Sequence, residues 1–105
     1  MTRNQFPLAS APQRYAEMGL PDEYKISIVT DGVLYGYEYG GVHIQLKKWT
    51  ADLSWRGKVK GHSWKLLYAI PLSSSVYYWE AEKADAIALS WIYEINRKKR
   101  LKEQA

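Results

Sequence analysis

Residues 47–65 carry the strongest chemical signal in this 105-residue chain. Lys47, Lys48, Arg56, Lys58, Lys60 and Lys65 are interleaved there with Trp49, Trp55 and Trp64, and His62 stands between Gly61 and Ser63. Cations neutralise phosphates and flat rings stack on bases, so this mixture suits a single-stranded or irregular nucleic acid. A second basic block, Arg97, Lys98, Lys99, Arg100 and Lys102, lies close to the end of the sequence. The overall charge of +4 is unevenly placed: residues 47–65 carry +5 and 97–105 carry +4, whereas 1–46 and 66–96 are net negative. Two concentrated blocks attract an anionic partner far better than the same charge spread evenly.

Groupings that perform catalysis are missing. His43 and His62 are the only histidines, and there is no cysteine. That excludes a thiol nucleophile, a disulfide scaffold and a cysteine-ligated metal, and it fits a reducing compartment, with the cytoplasm as the expected location. Alternation sets Lys25, Glu38 and His43 in one row across a sheet face. The pair Glu38–His43 has acid–base chemistry available to it, but a charge-complementary surface row is the better reading because no nucleophile accompanies it. Glu80, Glu82 and Asp85 open a helix, where they complement its dipole, and no histidine is spaced to complete a metal shell with them. Gly57-Lys58-Val59-Lys60-Gly61 lacks the spacing and the terminal Lys-Ser/Thr of a P-loop. Ser73-Ser74-Ser75 has no histidine or aspartate partner at a triad spacing. Tyr35-Gly36-Tyr37 is similar to the centre of an RNA-recognition-motif strand. The flanking basic-glycine pair is absent, however, and both tyrosines fall on the core face, so the likeness is discounted. The reading is of a protein with no catalytic site, no metal and no cofactor.

Five Trp and nine Tyr stand against one Phe, so nearly every ring carries a polar handle and can be buried on one side and wet on the other. Trp, Tyr and Arg also concentrate energy at protein interfaces, which supports a second expectation: a protein-binding module that grips an acidic protein surface. Small, motif-poor chains of this kind are expected among phage or mobile-element accessory inhibitors and adaptors. No apolar run reaches membrane-spanning length, and no membrane partner is expected.

Several elements must position these groups. Pro7, Pro12, Pro21 and Gly19 punctuate residues 1–23, which read as an extended arm with at most one helical turn from Arg14 to Met18. A single α+β domain is expected over 24–105. Hydrophobic alternation over 24–30, 33–39 and 42–48, separated by Asp31-Gly32 and Gly40-Gly41, predicts a three-stranded meander with two-residue hairpins. Its register pairs Ile28 with Tyr35, Ile26 with Tyr37, and Tyr37 with Ile44, collecting the apolar side chains on one face. Leu53–Lys60 reads as either a strand or an irregular basic loop. A further strand is expected over 64–70, ending before Pro71, for a sheet of four or five strands. Residues 80–102 read as one long helix whose stripe of Ala84, Ile87, Ala88, Trp91, Ile92 and Ile95 covers the sheet. At about 34 Å it outruns seven-residue strands, so its basic end is expected to project. The candidate binding residues are therefore Lys47, Lys48, Trp55, Arg56, Lys58, Lys60, His62, Trp64, Arg97, Lys98 and Arg100.

Overall fold

The structure is a computed structural model that describes residues 6–34, 37–74 and 79–104, with backbone only over 31–34 and 37–40. The chain is α+β: three antiparallel strands in the order β1-β2-β3 and a long C-terminal helix. After a 3₁₀ turn at Leu8–Ser10 come α1 (Ala11–Glu17), β1 (Tyr24–Leu34), β2 (Tyr37–Leu53), β3 (Val59–Ser73) and α2 (Ala81–Gln104). The expected four or five strands are thus three, and each is much longer than the sequence suggested.

The difference lies in the glycines. β1 runs through Asp31-Gly32 to Leu34, which pairs with Tyr37 at the start of β2. β2 then runs through Gly40-Gly41, which stand as two residues opposite the single Asp31 between the pairs Thr30↔Val42 and Gly32↔Tyr39. The dipeptide read as a turn is a bulge, the other place where a strand accepts glycine. Gly41 has a second reason to lack a side chain, since a Cβ there would sit 2.0 Å from the Ser73 carbonyl oxygen of β3. Ile26 therefore pairs with Leu46 and Ile28 with Ile44, in place of the expected tyrosine partners. Tyr35 and Gly36 lie outside the described residues, as do the side chains of Tyr37 and Tyr39.

β3 completes the sheet as an edge strand, with Ile44↔Ile70 and Leu46↔Tyr68 continuing the apolar rows. It runs past Pro71, contrary to expectation, because an edge strand can present the missing N–H outward. Register shifts at three points leave Lys60, Leu67 and Leu72 as extra residues on β3, and such bulges bend and twist an edge.

α2 closely matches the predicted 80–102 helix. Ala84, Ala88 and Ile92 are buried against Ile26, Ile28, Val42, Ile44 and Leu46, while Ile87, Trp91 and Ile95 pack at the margin. The small alanines permit the close approach that seals this helix-side face.

Part of the expected extended arm is folded into the core. α1 begins with Pro12 in its first turn, where a missing N–H costs nothing. It ends in a Schellman motif: the Leu20 amide donates to the Tyr15 carbonyl and the Gly19 amide to that of Ala16, with Gly19 at φ +108°. Tyr15 and Leu20 are buried together. The prolines and glycine read as interruptions are the start and stop signals of a short helix. Phe6 packs edge-on against Trp79 at 5.1 Å and Tyr15 at 6.2 Å. Across to α2, Arg14 grips the Asp85 carboxylate with Nε at 3.0 Å and Nη2 at 2.6 Å, and the Tyr15 hydroxyl donates to it at 2.9 Å.

Candidate nucleic-acid interface

Strand lengths build the site. β1 begins at the pair Tyr24↔Lys48, whereas β2 and β3 stay paired from Trp49↔Trp64 to Leu53↔Val59. Beyond β1 the sheet is therefore a two-stranded ribbon, and it contains most of the basic and aromatic residues singled out above. What projects is this ribbon. The basic end of α2 lies alongside the sheet, because the Lys99 ammonium is bonded to Glu23 just before β1 and Lys102 lines a cleft shared with Lys48. The expectation of a protruding helix fails because it assumed seven-residue strands, and β2 alone has 17 residues.

The ribbon tip is a closed turn. The Ser54 amide donates to the Lys58 carbonyl at 2.7 Å and the Gly57 amide to the Ser54 carbonyl at 2.9 Å. The Ser54 hydroxyl accepts from the amides of Arg56 and Lys58 at 3.3 and 3.2 Å. Gly57 has φ +80°, a left-handed conformation that glycine adopts at least cost. This tied backbone holds Trp55 out with 88% of its surface exposed. The Arg56 guanidinium lies 4.7 Å over the Trp55 ring.

Behind the tip, alternation sorts the ribbon into two faces. The outer face, turned away from α2, carries the row Lys25↔Lys47↔Leu66, the pair Trp49↔Trp64 and then Ala51↔His62. Trp49 stacks on His62 (5.9 Å, 11°) and meets Trp64 edge-on at 5.2 Å, while the Lys25 ammonium sits 4.6 Å from the Trp64 ring. Trp49 keeps 44% of its surface in solvent. These rings and cations form one platform, which cation–π attraction pre-orders. Asp52, the acidic residue of this segment, points to the other face. There it accepts from Ser63 at 3.1 Å and pairs with Lys65 at 2.6 Å, and these bonds hold its carboxyl below the usual range. Among the described residues the outer face thus carries no carboxylate.

The predicted set is shared between the ribbon and the helix side of the sheet. Lys47, His62 and Trp64 share the platform, and Trp55, Arg56, Lys58 and Lys60 belong to the tip. Lys48 faces the helix side, with its ammonium 5.4 Å over Tyr24. Arg97, Lys98 and Arg100 lie on α2, across the sheet from the platform, and Arg97 is already held by Glu94 at 2.6 Å. Lys25 belongs to the platform but was missed by sequence reasoning, since nothing local shows that it pairs with Lys47, 22 positions away.

His43 pairs with Val29 and Pro71, Lys25 with Lys47, and Glu38 with Val33, so the row Lys25–Glu38–His43 does not form. His43 is fully buried beside the Gln45 amide at 3.0 Å, and burial pushes its pKa below the ordinary histidine value. Asp85 is bonded to Arg14 and Tyr15 of α1. Among the described residues no group of three His, Asp or Glu side chains could hold a metal ion, and no helix is long and apolar enough to cross a membrane.

Comparison with protein-family models, curated proteins and solved structures finds no match. The class is therefore defined by the fold: an α+β chain whose sheet extends into a basic, tryptophan-bearing ribbon.

Proposed function

We propose that this chain is a non-catalytic binding protein that takes unpaired nucleic acid, alone or within a nucleoprotein complex, along the outer face and tip of the ribbon. One observation carries the reading. Lys25, Lys47, Arg56 and Lys58 run beside Trp49, Trp55, His62 and Trp64, while the single ribbon carboxylate, Asp52, is turned to Lys65 with Lys60 near it. Bases stack on the rings and phosphates meet the cations, an arrangement that tolerates any sequence.

The test is an anisotropy titration of labelled 12-mer oligonucleotides at several salt concentrations. With about four phosphates neutralised, log K falls against log salt with a slope near −3 for a single strand. Arg56→Ala/Lys58→Ala/Lys60→Ala lowers that slope by about 2, and Trp55→Ala weakens binding by about 1–3 kcal/mol. Absence of binding at low salt refutes the reading. The exposed pair Leu53↔Val59 beside Trp55 supports a second reading, in which the tip fills a pocket on an acidic protein. That reading requires a nuclease-resistant partner in a pull-down that Trp55→Ala abolishes.

A further inference from the structure

The helix side of the sheet holds a cleft that the ribbon does not use. Between the C-terminal half of α2 and the start of β1 lies a space of about 670 Å³, within the range of small-molecule sites. Leu46, itself buried, lies at its base, and Tyr68 and Trp91 stand nearly parallel at its wall, with centroids 6.2 Å apart and planes 18° apart. Tyr68 keeps 55% of its surface in solvent, so part of this aromatic wall is open to a stacking partner.

Cations line the rim. Lys48, Lys98, Lys99 and Lys102 border the cleft, against the carboxylates of Glu23 and Glu94. Both carboxylates are already engaged, Glu23 by Lys99 and Glu94 by Arg97. Lys48, Lys98 and Lys102 make no ion pair among the described residues, which leaves three ammonium groups around an aromatic wall. They outweigh the half negative charge at the C-terminus of α2.

We propose that this cleft binds a mononucleotide unit, with its base against Tyr68 and Trp91 and its phosphate among Lys48, Lys98 and Lys102. A flat ring buries the exposed aromatic surface, and the phosphate meets ammonium groups that are not held in an ion pair among the described residues, although Lys98 stands within electrostatic reach of Glu94. The unit comes either from a free nucleotide or from the phosphorylated end of a chain. The site is on the opposite face from the ribbon platform and does not rest on the ribbon reading.

Calorimetric titration of the whole chain with AMP, UMP, adenosine and inorganic phosphate tests it. Saturable binding of AMP or UMP is expected, with adenosine and phosphate each weaker by about tenfold or more, because each offers half of the recognised chemistry. Lys98→Ala/Lys102→Ala alters exposed side chains and is expected to keep the melting temperature, Tyr68→Ala to lower it by several degrees with the loss of the Trp91 stack, and each to weaken AMP by about tenfold. Arg56→Ala/Lys58→Ala/Lys60→Ala leaves AMP affinity within about twofold, so failure of this site and failure of the ribbon are read separately. Comparison of AMP with a 5′-phosphorylated trinucleotide assigns the source: tighter trinucleotide binding that is still lost in the cleft variants indicates a chain end. No saturation by about 10 mM AMP or UMP, or binding unaffected by both cleft variants, overturns the proposal.

Discussion

Asp85→Ala is the sharpest test of how the N-terminal segment is held. The Asp85 carboxylate accepts two bonds from Arg14 and one from Tyr15, and its side chain is 22% exposed against 36% for Arg14. Arg14 can turn to water when released, so its pair contributes about 0.5–1 kcal/mol. Tyr15 is fully buried. Its hydroxyl, deprived of an acceptor, costs a further 1–2 kcal/mol or so. The variant should lose about 1.5–3 kcal/mol in urea unfolding followed by far-UV circular dichroism. For a domain of this size that is a fall in melting temperature of roughly 10–20 °C. Adding Tyr15→Phe to Asp85→Ala removes the stranded hydroxyl and should recover about 1 kcal/mol. The pH dependence follows from the bonds of Arg14 and Tyr15, which hold the Asp85 carboxyl below its ordinary range. Its contribution is therefore complete above the unfolded-chain pKa near 4 and is lost as pH falls through the lower folded value. A variant within about 0.5 kcal/mol of the parent, or a double variant no more stable than Asp85→Ala, would refute the clamp.

Gly41→Ala should cost about 2–3 kcal/mol, because the new methyl would meet backbone atoms of Ser73 and Ser74 that cannot yield. Gly61→Ala, where a Cβ meets nothing within 4 Å, is its near-neutral control in the same urea titration. Burial lowers the pKa of His43, so the unfolded chain takes up the proton first. Stability should be full above about pH 6.5 and decline as pH falls toward the depressed folded pKa, a slope that His43→Gln flattens in pH-dependent melts. Arg56→Ala/Lys58→Ala/Lys60→Ala should leave the melting temperature nearly unchanged, since all three side chains are exposed. A large loss there would show that the tip is structural.

The helix was legible because its signals are local. The stripe from Ala84 to Ile95 repeats at the helical period, and acidic residues precede it while basic ones end it. The buried set Ile26, Ile28, Val42, Ile44 and Leu46 was equally legible from alternation. The turn placement was not, for a reason of parity. Hairpins at 31–32 and 40–41 put Tyr24, Ile26 and Ile28 on one face with Val42, Ile44 and Leu46, and so does the observed pairing of Tyr24 with Lys48. Sorting of apolar side chains, used to choose the register, is satisfied by both solutions. Glycine is likewise ambiguous, since a turn, a bulge and a close approach all ask for the absent Cβ.

Local sequence thus determined which segments are helical or extended, which of their faces is apolar, and where positive charge and tryptophan concentrate. Tertiary structure decided that two long strands outrun the third, which places Lys25 beside Lys47 and Trp64 and carries Trp55 into solvent. It also set the two basic blocks apart, the ribbon platform on one face of the sheet and the α2 lysines on the other. The physical reason is that side-chain period records only which face a residue occupies. Strand partners, and hence the lengths over which strands run together, depend on contacts between residues far apart in the chain.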